Sequence, residues 1–313
     1  MSGPVTYDDT PPTEEGARPH PVPEVEVTAA REATVGALTV RRALPRRGRR
    51  AVGAWCFADL MGPAAVTEDA GIDVGPHPHI GLQTVTWLIS GESLHRDSLG
   101  SEQVIRPGQL NLMTAGNGVA HSEEATGRYR GDLHGVQLWI AQPESSRHGA
   151  PAFEHHAELP SVESPAAVAT VLVGKFAGAA SPARHDTALV GVDLVLGQGT
   201  DEWPASRDFE YAVVVVDGTV SVDGTAIDAG QLGYLGRGRD TIRIDRTGSA
   251  RALLIGGTPL EEPILMWWNF VARTRDEIDD AYAAWQSRSD RFGTVASPLE
   301  RIPAPAPMWA PSR

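Results

Sequence analysis

Residues 88–116, LISGESLHRDSLGSEQVIRPGQLNLMTAG, and residues 215–238, VVDGTVSVDGTAIDAGQLGYLGRG, follow one pattern. Each has an apolar run, a glycine turn, a second alternating run, a GQL triplet (108–110 and 230–232), a further run and a Gly-rich turn. A pattern that recurs in order marks one supersecondary unit used twice. Around the copies, short alternating segments are broken by Gly, Asp or Pro roughly every eight to twelve residues, the rhythm of an antiparallel sandwich or barrel. The alternation predicts strands at 84–90, 108–115, 135–141, 211–218, 219–223, 241–245 and 252–257. The expected organisation is a flexible segment over 1–24, a first β-domain over 25–150, a second over 165–260, and a helix with a Pro-rich tail over 261–313. The tail is expected to drape over the surface, with Met308 and Trp309 as its anchors.

The helix is placed by its own signals. Thr274 and Glu277 form a capping-box pattern, and Ile278, Tyr282 and Trp285 fall on one apolar stripe. Asp276, Glu277, Asp279 and Asp280 crowd the first turns, where the helix dipole favours anions.

Composition removes several classes of function. The formal net charge of −13 leaves no basic field for a nucleic-acid backbone or an anionic membrane surface. The single cysteine, Cys56 in AWCFADL, excludes an internal disulfide and a cysteine-cluster zinc site, and its apolar neighbours predict a buried, inert thiol. No apolar run approaches the ~20 residues of a membrane span. The N-terminal stretch lacks the apolar core of a secretory signal. These features together read as a soluble, reduced, cytoplasmic protein.

The stretch GPHPHIGLQTVT (75–86) sets His77 and His79 on either side of a proline, ahead of an alternating run. Residues i and i+2 of a strand face the same way, so both imidazoles can project to one side. Pro78 stiffens the pair. GNGVAHSEEA repeats the spacing with His121 and Glu123. If the two pairs lie on neighbouring strands, three imidazoles and a carboxylate converge. That set suits a divalent first-row metal rather than Mg or Ca, and a six-coordinate metal would keep two open positions. The plainer reading is a turn that happens to contain histidine. The second copy has Thr241, Ile242 and Arg243 at the matching point and DFEYAVV (208–214) where the H-P-H pair is expected, so the repeat itself does not demand histidines.

GIDVGPHPHIGLQTVTWLISG (71–91) and GNGVAH (116–121) resemble the two cupin motifs, from Gly71 through His77 and His79 to Gly91. More narrowly, VRRALP (40–45), HPHIGLQTVTWLISG (77–91), HRDSLG (95–100), PGQLNLMTAGNGVAHSEE (107–124), GVQLWI (135–140) and GTPLEEPI (257–264) resemble the pirins, bicupins with metal in the N-terminal barrel. The resemblance implies an all-β fold of two cupin-type antiparallel β-barrels with a C-terminal helix, and a second barrel without ligands. It implies Fe(II) held by His77, His79, His121 and Glu123, with Mn, Ni, Cu and Zn as alternatives. Gln83 and Thr84 stand where many cupins place a glutamate ligand, and Glu123 takes that place in pirins. Ile80 replaces an arginine frequent at that position and is expected at the pocket rim.

Two functions follow from the resemblance. One is a metal-dependent dioxygenase of the quercetinase type that opens a flavonol or a related enolisable aromatic with O₂, with Glu123 as catalytic base. The other is an iron-binding regulator of a transcription factor or metabolic enzyme. Among the remaining features, His95 and Asp97 are candidates for hydrogen bonds to a ligand imidazole or for a turn. His155 and His156 and the arginine run 46–50 read as solvated. Trp87, Trp139, Trp267 and Trp268 read as packing residues, and WWNF (267–270) as a closure between the barrels.

Overall fold

The computed structural model describes residues 23–36, 38–67 and 72–309; the expected flexible segment up to residue 22 and the motif residue Gly71 lie outside the described residues. The chain is all-β in two cupin-type units, and the one α-helix among the described residues follows them. Pairings between strands are antiparallel throughout the two units. Each unit is two sheets over a common interior, without continuous hydrogen bonding around a closed barrel among the described residues.

In the first unit the seven-stranded sheet runs Ala152–His156, Leu110–Thr114, Leu82–Ser90, Gly131–Ala141, Trp55–Val66, Leu38–Leu44, Arg31–Val35. The four-stranded sheet runs Val74–His79, Val119–Glu124, Ser93–Asp97, Glu102–Ile105. The second unit repeats the smaller sheet in the same order: Gly199–Pro204, Thr241–Arg246, Thr219–Val222, Thr225–Asp228. Its larger sheet includes Glu26–Ala29, which pairs with Gln231–Gly236, so the first described strand of the chain completes the second unit.

The repeated GQL triplet has a physical cause. Gly108 and Gly230 both sit at φ +80°, a left-handed conformation that glycine holds at little cost. The next glutamine then folds back. Gln109 Oε1 accepts the Arg106 N–H at 3.0 Å, and Gln231 Oε1 accepts the Asp228 N–H at 2.8 Å. One turn is thus built twice.

The match between copies needs one correction. Gly199–Pro204, rather than 208–214, holds the place of the H-P-H strand, because it pairs with Thr241–Arg246 as Val74–His79 pairs with Val119–Glu124. Residues 208–214 run into Glu210–Asp217, the partner of the central strand Ala250–Gly257. The connection after Pro204 is longer than the one after His79, which displaces the sequence match. Trp203, Ile242 and Ile244 fill the second interior among valines and leucines. That apolar filling is why the second unit holds its shape without imidazoles.

The two units share a core. Leu44, Trp55, Trp87 and Val136 from the first pack with Leu172, Leu189, Val214 and Ile255 from the second. The indole N–H of the fully buried Trp55 points at the carbonyls of Val190 (3.0 Å) and Gly256 (3.2 Å). A Cβ at Gly191 would meet its ring at 2.6 Å. Trp87 donates to Asp193, which also holds Arg251 through both carboxylate oxygens. Trp55→Phe removes the donor and part of the ring from this seam. It is expected to cost about 1–3 kcal/mol, read as a lower midpoint in chemical denaturation.

The helix Arg275–Gln286 buries Ile278, Ala281 and Trp285, and Thr274 caps it by accepting the Glu277 N–H at 3.3 Å. The capping box is only half formed: the Glu277 carboxylate takes the Arg273 N–H and pairs with Arg147 instead of returning to Thr274. The helix packs on the first unit, where Ile80 bridges to Phe270. The tail is anchored at Trp309, whose indole N–H donates to Asp279, while Met308 is exposed. Its Ile302 N–H bonds the Pro76 carbonyl at 2.9 Å. Gly75 is required there, because a Cβ would lie 2.0 Å from the Glu300 carbonyl oxygen.

Candidate metal centre

The strand Val74–His79 lies against Val119–Glu124 with His121 opposite His77 and Val119 opposite His79. Alternation then carries His77, His79 and His121 to one face. Their nitrogen donors fall within 4.8 Å of one another, and all three side chains are buried. Ring centroids are 4.3 Å apart for His77 and His121, and 5.0 Å for His79 and His121.

Glu123 lines the same cavity but its carboxylate stands outside that three-histidine group. The register beside Glu123 is irregular. His121 faces His77 while Glu123 faces Val74, so the opposite strand carries an extra residue at Gly75-Pro76. Pro76 has no N–H for the ladder, which is where a bulge is tolerated.

Each ring is held from behind. His77 Nδ1 donates to the Gly75 carbonyl at 2.9 Å, and His79 Nδ1 to the Asn269 carbonyl at 3.0 Å. With those protons on Nδ1, both Nε2 atoms present lone pairs to the cavity. His121 Nδ1 lies 3.4 Å from His95 Nδ1, and His95 Nε2 lies 3.1 Å from Asp97 Oδ2. His95 and Asp97 therefore stand behind a site imidazole.

The donor set fits a first-row divalent ion. His79 Nε2 and His121 Nε2 are 3.0 Å apart. Bonds of about 2.0–2.1 Å meeting at a right angle place two nitrogens about 3 Å apart. Burial keeps the rings ready to bind: it holds His77 down to about 4, and His79 and His121 well below their ordinary value, with neighbouring imidazoles lowering the latter two further. Burial also pushes the Glu123 carboxyl up to about 7.

These shifts contribute to the pH response of the metal-free protein. Between the ordinary values of 4.5 for Glu and 6.5 for His, the unfolded chain protonates three imidazoles that the native state keeps neutral. Glu123 works the other way, binding its proton in the native state and losing that contribution as pH rises towards 7. Three imidazoles outweigh one carboxyl, so stability against denaturant is expected to fall as pH drops from 6.5 towards 4.5. His79→Ala and His121→Ala proteins should show a shallower fall in the same titration.

The cavity above the three rings has a volume of about 550 Å³. Phe57 and Trp139 form a stacked wall, centroids 4.1 Å apart, and Trp139 meets His79 edge-on. Met61, Met266, Trp268 and Ile302 add apolar surface, and Gln137 and Asn269 add polar atoms. Arg42 sits over Phe57 at 4.5 Å and grips Asp59 through two 2.7 Å bonds, so its charge is already paired.

Several expectations change here. Trp139 and Trp268 line the cavity as well as pack, and WWNF closes the first unit's cavity instead of the seam between units. Ile80 is absent from the cavity lining and packs behind it with Phe270 and Trp285. Gln83 bonds Thr114 and the Arg184 carbonyl. His155 and His156 are half-buried on a strand, bonded to Asn111 and Glu154. In the arginine run, Arg49 pairs with Glu26 and stacks on Tyr234, tying the loop to the second unit. Cys56 is buried as expected, its thiol pushed up to about 12. Phe57, Asp59 and Ile302 were not singled out by the sequence; the periodicity of 55–66 could have put Phe57, Asp59 and Met61 on one face.

Two cupin-type units, one with a buried three-histidine group beneath a cavity and one filled with apolar side chains, define a bicupin with a single candidate metal centre among the described residues. The Pirin family model matches residues 37–140, and the model of the Pirin C-terminal cupin domain matches residues 192–293. The chain belongs to the pirin family. It is 46% identical over 286 residues to a Pseudomonas aeruginosa protein named "Putative quercetin 2,3-dioxygenase PA1205", covering 90% of both chains. It is 37% identical to a "Pirin-like protein" of Caulobacter vibrioides, covering 82% of this chain and 91% of that one. Among solved structures it resembles a quercetin 2,3-dioxygenase from Acinetobacter baumannii at a TM-score of 0.87 and 44% identity, covering 90% of this chain and 95% of that one. No helix among the described residues is long and apolar enough to cross a membrane.

Proposed function

We propose that the chain is a metal-dependent dioxygenase of the quercetin 2,3-dioxygenase type, acting on a flavonol or related enolisable aromatic and O₂. The observation that carries this reading is the convergence of three buried imidazoles on the floor of an aromatic-walled cavity. The names of the similar Pseudomonas and Acinetobacter proteins support the same chemistry. His77, His79 and His121 would hold the ion, with Glu123 beside them, and Fe(II) suits the nitrogen-rich set. When bound, the metal supplies a Lewis acid that lowers the pKa of a substrate hydroxyl and a centre for O₂ chemistry.

The chain's own residues do the rest. The cavity volume falls in the range of small-molecule sites, and a planar ring slides against the Phe57–Trp139 wall. Apolar side chains from both ends of the chain, Leu38 and Ile302 among them, keep water from the ring. Glu123 accepts the hydroxyl proton on a carboxylate oxygen, which its raised pKa suits near neutrality.

Protein loaded with Fe(II) under argon and then mixed with oxygenated buffer is expected to consume O₂ only when a flavonol is present. Retained metal with no O₂ uptake across a panel of flavonols and catechols would contradict the catalytic reading and favour an iron-binding regulator.

A further inference from the structure

The geometry points to Asp97 as the residue that decides, through His95, which nitrogen of His121 carries the proton and so whether the one facing the cavity offers a lone pair; the argument rests on His121 as a metal ligand. Asp97 is buried in the Ser93–Asp97 strand, opposite His121. One oxygen, Oδ1, accepts the backbone N–H of Leu99 and of Ser101, each at 2.9 Å. The other, Oδ2, faces His95 Nε2 at 3.1 Å. A carboxylate only accepts, so a neutral His95 carries its proton on Nε2 and turns a bare Nδ1 towards His121. His121 Nδ1, 3.4 Å away, must then be the donor, and its Nε2 is left as a lone pair. The His95 ring has little freedom to turn away, because it stacks on Phe153 at 4.4 Å and 11°.

The consequence reaches the cavity. His79 Nε2 is already a lone pair, because His79 Nδ1 donates to the Asn269 carbonyl. The 3.0 Å contact between His79 Nε2 and His121 Nε2 therefore sets two lone pairs against each other, an arrangement that a cation between them relieves. Without Asp97 the pair has an easy escape: His121 places its proton on Nε2 and donates it to His79, which ties up both ligand atoms.

Asp97→Asn is the decisive variant. Its amide oxygen keeps the two backbone donors of Leu99 and Ser101, so its NH₂ turns to His95 Nε2. His95 then carries its proton on Nδ1, and His121 moves its own to Nε2. One isosteric change at the third residue back inverts two tautomers. His95→Phe keeps the stack on Phe153 and removes the relay without inverting it.

The test is imidazole ¹⁵N NMR of the metal-free protein at pH 8, beside anaerobic Fe(II) titration against a competing chelator. Wild type should show His121 as the Nδ1–H tautomer. Asp97→Asn should show Nε2–H, retain its thermal transition, and bind Fe(II) about 10–100-fold more weakly. His95→Phe should fall between the two in affinity. A merely structural role for Asp97 would lower the melting temperature and leave the tautomer as it was. An unchanged His121 tautomer in Asp97→Asn, or an unchanged Fe(II) affinity, overturns the relay. Wild-type protein that takes up no Fe(II) overturns the metal centre instead, and the metal-free tautomers still decide the relay.

Discussion

The His79→Ala protein is expected to fold yet fail to retain metal. His79 is almost fully buried and its Nε2 lies 3.0 Å from that of His121, so no water-exposed side chain can substitute for it. Loss of a partner behind a ligand lowers metal affinity by roughly 10–100-fold, and loss of the ligand itself should exceed that range. The structural penalty is smaller: one carbonyl, that of Asn269, loses its donor, at a cost of about 1–3 kcal/mol. Elemental analysis after dialysis, beside a thermal melt, separates the two effects. A folded protein without metal and without O₂ uptake is the expected pair of results. A histidine serving only a turn would give the reverse, a lower melting temperature with metal content unchanged.

Glu123→Gln is expected to divide turnover from metal content. The amide keeps the volume and the cavity wall, and it cannot accept the substrate proton in the same way. General-base catalysis contributes about 10²- to 10⁴-fold, so the flavonol-dependent O₂ rate should drop by an amount in that range. Metal should be retained far better, because Glu123 stands outside the three-histidine group. Rates normalised to bound iron make the comparison clean. If rate and iron content fall in parallel, Glu123 serves as a ligand and the base lies elsewhere.

What the sequence made legible was what period-2 geometry controls. The pairs 77/79, 121/123 and 95/97 each share a face because strand side chains alternate, and antiparallel neighbours then stack the three pairs across one sheet. The GQL turns were legible because a left-handed glycine followed by a back-bonding glutamine is a local device. What stayed hidden depends on distance along the chain. Asn269 fixes His79 from 190 residues away, and Trp55 bonds Val190 and Gly256 across the seam. No local pattern announces that Glu26–Ala29 joins the second unit or that Ile302 reaches the first unit's cavity. The irregular pairing beside Glu123 was hidden for a different reason: one extra residue beside Pro76 sets Val74 rather than Gly75 opposite it, and alternation alone assumes that no such bulge is present.

Metal K-edge X-ray absorption on protein loaded with one equivalent of Fe(II) tests the centre most directly. The expected spectrum has a first shell of light nitrogen and oxygen donors, with imidazole scattering that is weakened or lost in each of His77→Ala, His79→Ala and His121→Ala. A spectrum without imidazole scattering, or one that none of the three replacements alters, would contradict a metal held by these histidines.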